Sequence, residues 1–255
     1  MIAGQAPARY DIDMKPTTYE PLKPAIVLGV GAHPDDLDFM AGGTLALFAA
    51  QGAQVHYLIL TDGSSGSSDP SADSVKLVSM RKAEQDAAAA ATGATSSLFL
   101  DYTDGQLEIT MELKKDIIRA IRKLKPDVLI TFDPSMLYDA PRGFINHPDH
   151  RAAAQAALDA VFPLARDHMS FPELLDEGYQ PHKVKTVLLS NFYKQDFFVD
   201  ITDTLDAKVA ALAAHASQMP DMESIRAMVT GRAREAGEQA GCEYAEAFIR
   251  IDTMA

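Results

Sequence analysis

Ala25-Ile26-Val27-Leu28-Gly29-Val30-Gly31-Ala32-His33-Pro34-Asp35-Asp36 is an apolar run that ends in a histidine and two carboxylates. A short apolar run bounded by turn residues reads as a strand buried on both faces. The same arrangement recurs far downstream. Asp127-Val128-Leu129-Ile130-Thr131-Phe132 is a second apolar run, and the connection after it ends in His147-Pro148-Asp149-His150. If the two strands lie side by side in one sheet, their ends deliver imidazoles and carboxylates to a single pocket. Imidazole with carboxylate is the ligand set of a hydrolytic metal site.

Between and beyond these runs, apolar segments alternate with helical patterns. That order predicts an α/β fold, a parallel sheet covered by helices. Strands are expected near 25–32, 54–61, 97–100, 127–132, 184–190 and 197–201. Helices are expected over about 42–51 (opened by Gly42-Gly43-Thr44), 75–92, 111–124, 147–161 and 204–218. Ala247-Phe248-Ile249-Arg250-Ile251 alternates like an edge strand. The loop from Asp62 to Pro70 reads as mobile and polar, at the carboxyl end of a strand where ligands are bordered. The 255 residues are expected to form an N-terminal arm, 1–24, and one domain, 25–255.

Composition excludes several function classes. The net charge of −13 argues against nucleic-acid binding and against adsorption to an anionic membrane. No apolar stretch reaches the roughly 20 residues of a membrane span. A single cysteine, Cys242, rules out an intrachain disulfide framework and a thiolate-rich metal site. The first 24 residues lack the order of a signal peptide, so the expected location is cytoplasmic.

His33 and Asp36 stand three apart in a tight turn, as do His147 and His150. An open catalytic zinc site needs three protein ligands. His33, Asp36 and one of His147 or His150 supply them, with Asp35 left over as a general base. Gly29 and Gly31 resemble the start of a dinucleotide fingerprint. That reading fails because Pro34 replaces the third glycine, and Asp35 and Asp36 would repel a pyrophosphate.

Ala32-His33-Pro34-Asp35-Asp36, Thr61-Asp62-Gly63, Arg81 with Glu84, and His147-Pro148-Asp149-His150 together resemble the PIG-L/LmbE-like family of zinc-dependent N-acetylglucosaminyl deacetylases. Val199–Asp203, Lys208 and His215–Gln218 extend the resemblance to about 25–220. It implies a three-layer αβα, Rossmann-like, mostly parallel sheet. It implies removal of an N-acetyl group from an N-acetylglucosamine-type sugar or glycoconjugate, with homo-oligomers, trimers or hexamers, as the assembled form. It implies zinc, with Fe²⁺ able to take the same ligands, held by His33, Asp36 and His150.

In that family Asp35 would be the general base. His147 would be protonated and stabilise the oxyanion, and Asp149 would orient His147 and favour its charge. Asp149 stands two residues after His147, so this pairing requires the motif to begin outside regular helix. Arg81 and Asp104 would contact the sugar, although Arg81 could equally pair with Glu84 and Asp104 could serve its turn. Leu37 stands where one common family form has glutamate; Asp38 takes the place of an acid that bacillithiol-type relatives carry and, by that resemblance, is a third expected substrate contact. His215 reads as a core or capping residue. Two alternatives keep the same scaffold: an amidase of a larger acyl or thiol conjugate, and a non-catalytic sugar-binding protein. Asp35 and His147, unnecessary for merely holding metal, argue against the second.

Overall fold

β1 (Ile26–Gly31) pairs in parallel with β2 (Gln54–Thr61) on one side and with β4 (Val128–Phe132) on the other. The two motif-bearing strands are therefore neighbours, with Val27 opposite Val128 and Gly29 opposite Ile130. The structure is a computed structural model that describes residues 20–254; the expected arm, 1–24, lies outside the described residues except for its last five.

The sheet has seven strands in the order β3-β2-β1-β4-β7-β9-β8, with β3 Ser96–Tyr102, β7 Thr186–Ser190, β8 Phe197–Asp200 and β9 Ala245–Asp252. Strand order reverses direction between β1 and β4. This is the crevice where open α/β sheets bind ligands, at the carboxyl ends of the strands. A small hairpin, β5 (Tyr138–Asp139) with β6 (Phe144–Ile145), follows β4.

Side chains alternate across the sheet. Leu28, Val30, Leu58, Leu60 and Leu129 pack on one face against Leu113, Ile117 and Ile121 of α3 (Met111–Leu124) and the alanines of α4 (Pro148–Asp159). Val27, Val55, Tyr57, Ile59 and Ile130 face the other way. They meet Leu37, Leu45 and Phe48 of α1 (Asp36–Ala50), with Ala89 of α2 (Ser74–Ala91) in the same cluster. Burial on both faces explains why these strands read as unbroken apolar runs. Beyond α4 come a π-helical turn (Ala160–Leu164), a short α5 (Glu173–Asp176), α6 (Leu205–Ala214) and α7 (Met222–Ala240).

The helix termini follow local chemistry. Asp73 accepts from the N–H groups of Val75 and Lys76 at the start of α2, and Thr110 accepts from Leu113 at the start of α3. α3 stops at Lys125, in the left-handed region just before Pro126.

Three sequence expectations are corrected. α1 starts at Asp36, not near Gly42, so the motif's second aspartate already belongs to the helix. Gly42 and Gly43 sit inside it because α6 and the end of β8 come close: a Cβ on Gly43 would lie 2.7 Å from Ile201 Cδ1. β9 is no edge strand; it lies between β7 and β8, antiparallel to both. Its Glu246 is buried, accepts from the N–H groups of Gly43 and Thr44, and pairs with Lys208 Nζ. The helix α7 has no counterpart in the sequence reading, because its buried stripe is only Val229, Ala233 and Gly237.

These contacts make opposite predictions for two helical glycines. Alanine gains about 1 kcal/mol of helix propensity over glycine, but overpacking a filled interface costs roughly 1–3 kcal/mol. Gly43→Ala should therefore lower the denaturant midpoint. Gly231→Ala on α7, where nothing lies within 4 Å of the added carbon, should raise it. Equal shifts of the same sign would mean that α1 is not seated on Ile201 as described.

Candidate active site

His33 leaves the end of β1 and Asp35 caps α1, so strand, turn and helix place the first motif without a free loop. Asp36 Oδ2 accepts from the His33 N–H at 2.7 Å, which closes the turn. His147 is the N-cap of α4 and Pro148 its first residue. His150 then stands one turn in, with its ring stacked on Phe132 at the end of β4, the centroids 4.2 Å apart.

These elements converge on Asp36. Its Oδ1 lies 3.1 Å from His150 Nε2, and its Oδ2 lies 3.5 Å from His33 Nδ1. One ligand atom from each of His33, Asp36 and His150 falls within 4.8 Å of the others. The far side of each ring is held. His33 Nε2 faces Asp104 Oδ1 at 3.1 Å and Asp149 Oδ2 at 3.2 Å. His150 Nδ1 meets Asn146 Oδ1 at 3.1 Å, while Asn146 gives its own N–H to the Met136 carbonyl. With the outer nitrogens tied to acceptors, a metal that displaces the second proton of His33 would find electron-pair donors on the inward atoms. That is the carboxylate–histidine arrangement of a metal centre, and the donor set fits Zn²⁺ or Fe²⁺. His33, Asp104 and His147 form a second grouping within the same distance, but it uses a ring nitrogen already engaged by Asp149.

Electrostatics follow from this crowding. Burial opposes charge on His33, yet bonds from Asp104, Asp149 and Asp36 outweigh it and hold the imidazole up at about 12. The pocket therefore favours positive charge at that point. Burial likewise opposes charge on Asp36, but His150 and His33 keep its carboxyl well below the usual range. Asp35 goes the other way. Burial and then the charge of Asp36 push it up to about 7, against Arg81, His215 and His33. Its backbone is unusual too, with φ 95°, a left-handed conformation that non-glycine residues rarely adopt and that clusters at functional sites.

The expected partner of His147 is replaced by another. His147 does stand outside regular helix, but the Asp149 carboxylate turns to His33 and to the N–H groups of Gly105 and Leu107. It is the Asp149 N–H that donates to His147 Nδ1, at 3.2 Å. Asp149 therefore orients His33 directly. Burial and the charge on His33 lower the His147 pKa, outweighing Asp149, so the ring is favoured neutral. With Nδ1 accepting, the proton of the neutral ring sits on Nε2.

The three expected sugar contacts are also turned inward. Asp38 is fully buried, and takes Tyr57 O–H, Gln85 Nε2 and His215 Nε2. Arg81, 4% exposed, donates to the Gly63 and Pro34 carbonyls and to Asp35 Oδ2. It is not paired with Glu84, which instead accepts from the Ser217 N–H and hydroxyl. Asp104 is spent on His33 and on the Ser65 N–H. The loop after β2 is tied down at Ser64, Ser65 and Gly66 by Asp62, Asp104 and Gln218.

Sequence reasoning missed Asn146, Phe132 and Gln85. Asn146 stands four residues before His150, a helical spacing that could have flagged it; Phe132 and Gln85 reach the site only through tertiary packing. A cavity of about 500 Å³ opens beside Asp36 and His150, walled by Phe39, Met40, Phe144, Phe192 and residues of α7 and β9.

The family model described as GlcNAc-PI de-N-acetylase, PIG-L, matches residues 28–161. A diacetylchitobiose deacetylase of Thermococcus kodakarensis is 33% identical over 195 residues, 76% of this chain and 70% of that protein. A 1D-myo-inositol 2-acetamido-2-deoxy-alpha-D-glucopyranoside deacetylase of Rhodococcus erythropolis is 28% identical over 240 residues, covering 76% and 81%. The solved structure of N,N'-diacetylchitobiose deacetylase from Pyrococcus horikoshii, in complex with its inhibitor, superposes with a TM-score of 0.82 at 30% identity over 90% of this chain and 84% of that one. With its paired motifs meeting at the β1–β4 crevice and this extent of match, the chain belongs to the PIG-L family.

Proposed function

We propose that this protein is a metal-dependent hydrolase that removes the acetyl group from an N-acetylglucosamine-type sugar or glycoconjugate. The observation that carries the reading is the convergence of His33, Asp36 and His150 with Asp35 beside them. The similarity to deacetylases of diacetylchitobiose and of a 2-acetamido-2-deoxy-glucopyranoside supports the substrate class.

A divalent cation held by His33, Asp36 and His150 would polarise the amide carbonyl and make water more acidic. Asp35 supplies the proton transfers. A carboxylate poised near neutral pH takes a proton from the attacking water and returns it to the departing amine as the C–N bond breaks, leaving acetate and a free amino sugar. His147, with its proton on Nε2, donates a hydrogen bond to the oxyanion as a neutral donor, worth on the order of 3 kcal/mol. Asp104 and Asp149 keep His33 in the ring orientation that a metal requires. We also propose a homo-oligomer, in which the exposed Leu137, Tyr138 and Ile145 around the β5–β6 hairpin are covered.

The direct test pairs elemental analysis of untagged protein with amine release from N-acetylglucosamine and diacetylchitobiose. About one zinc or iron per chain with amine released is the expected result. Metal without release from any N-acetyl sugar would move the substrate to larger amides. Asp35→Asn should keep its metal and lose about 10²- to 10⁴-fold in kcat; near-normal turnover would remove Asp35 as the base. His150→Ala should fail to retain metal at wild-type stoichiometry.

Asp35 also makes a pH prediction for chelator-treated protein. Its folded pKa, about 7, lies above the ordinary 3.8 of an unfolded chain. The folded state therefore binds its proton more tightly, and stability falls as pH rises from about 4 through 7. Asp35→Asn removes that penalty. Its Tm advantage over wild type should be small at pH 4, grow through pH 7 and level off above. A difference independent of pH would mean that the carboxyl is not elevated.

A further inference from the structure

Gln85 lies on α2, is fully buried, and makes two hydrogen bonds of opposite sense. Its Oε1 accepts from the Asp35 N–H at 2.9 Å, and its Nε2 donates to Asp38 Oδ2 at 3.0 Å. We propose that Gln85 is the positioning residue that holds Asp35 in its left-handed conformation and so aims the carboxylate; this rests on the reading of Asp35 as general base.

The side-chain amide is forced into one orientation. A backbone N–H can only donate, so the oxygen of the amide must face Asp35 and its nitrogen the other way. Gln85 must therefore present oxygen to Asp35 and nitrogen to Asp38. Asp38 is fixed in turn by His215 Nε2 at 2.8 Å on the same oxygen and by the Tyr57 hydroxyl at 3.2 Å on the other. None of Asp38, Tyr57, Gln85 or His215 is more than marginally exposed. Elements α1, α2, β2 and the end of α6 thus meet behind the base.

The chain around Asp35 is pinned on both sides. Arg81 Nη2 holds the Pro34 carbonyl at 2.8 Å, and the Asp35 carbonyl accepts from the N–H groups of Asp38 and Phe39 that begin α1. The Asp35 N–H is the remaining handle, and among the described residues Gln85 takes it. Without that acceptor, the N–H is buried and unsatisfied. The peptide then gains by rotating toward an ordinary φ, which swings the carboxylate off line. Misplacement by about 1 Å is enough to cost of the order of 10²-fold in rate.

Gln85→Met keeps length and removes both bonds. Its kcat on N-acetylglucosamine or diacetylchitobiose, whichever the wild type turns over, should fall about 10- to 100-fold, with KM within about threefold and metal content unchanged. In an Asp35→Asn background the same change should cost nothing further, because its effect passes through Asp35. Gln85→Glu adds a chemical signature. Protonated glutamic acid can donate to Asp38 and accept from Asp35, whereas ionised glutamate repels Asp38. Its kcat relative to wild type should be highest at low pH and fall as pH rises, while the Gln85→Met ratio stays flat.

Wild-type kcat in Gln85→Met overturns the proposal, as does an equal loss in the Asp35→Asn background. If Gln85→Met does not fold, the Gln85→Glu series decides: a falling ratio supports the proposal and a constant one overturns it. Near-normal turnover by Asp35→Asn would sink the general base itself. An inactive Asp35→Asn with an unimpaired Gln85→Met sinks the positioning role alone.

Discussion

The site is governed by repulsion among carboxylates. Asp35, Asp36, Asp104 and Asp149 all bear on His33 in a buried crevice. Two unit charges 4 Å apart cost about 4 kcal/mol even at an effective dielectric of 20, so the arrangement stands only with positive charge among them. The fold supplies it locally. His33 answers Asp104 and Asp149, and Arg81 answers Asp35, while His150 Nε2 lies 3.1 Å from Asp36 Oδ1. Backbone N–H groups of Gly105, Leu107 and Ser65 contribute the rest. A divalent cation held by His33, Asp36 and His150 would take the place of the His33 proton as the positive charge there.

That constraint explains why the two motifs must occupy neighbouring strands. A β1 end alone offers one imidazole to three or four acids. Bringing the α4 N-terminus alongside adds His150 for Asp36, and it adds Asp149 only where His33 can absorb it. The same step places Phe132 flat against the His150 ring, so the ligand's orientation is fixed by packing as well as by Asn146. The glycines of β1 serve the same end. A Cβ on Gly29 would meet Leu37 at 2.8 Å, so their smallness lets α1 sit close and present Asp36. This is the physical reason for a glycine pair that superficially resembles a nucleotide loop.

Much of this was legible because it depends on local pattern. Apolar runs of strand length, a Pro at the first position of α4 and the repeated His/Asp clusters mark the sheet, the helix start and the residues that meet at the β1–β4 crevice directly. What was not legible depends on distant contacts. The start of α1 was misplaced because Gly42 and Gly43 look like a helix boundary, when their role is to admit Lys208 and Ile201. β9 alternates like an edge strand, yet Glu246 ties it into the middle of the sheet through α1. The Asp149 carboxylate could not be assigned to His33 from spacing, since its partner is brought in by β1. Arg81, Asp104 and Asp38, expected to contact substrate, lie beside the His/Asp cluster with their side chains bonded within the protein. Their surroundings make them braces of the His/Asp cluster, because both carboxylates and both terminal nitrogens of Arg81 are bonded inside the protein.

The His/Asp cluster and the far wall of the cavity beside it come from different parts of the chain. Every residue assigned to metal, base or oxyanion lies between His33 and His150. The cavity beside Asp36 and His150 draws its far wall from Asn191, Phe192 and Gln195 and from α7 and β9. This wall mixes aromatic and apolar surface with arginines, Arg142 and Arg232 lying over the Phe192 ring, and a buried Lys208–Glu246 pair. Among the described residues, Asp36, Phe39, Phe132, Met136, Asn146 and His150 border both the cluster and the cavity, while the far wall stands clear of His33. The His/Asp cluster is therefore built between β1 and the start of α4, while the wall facing it across the cavity is built by residues from Ser190 to Ala247.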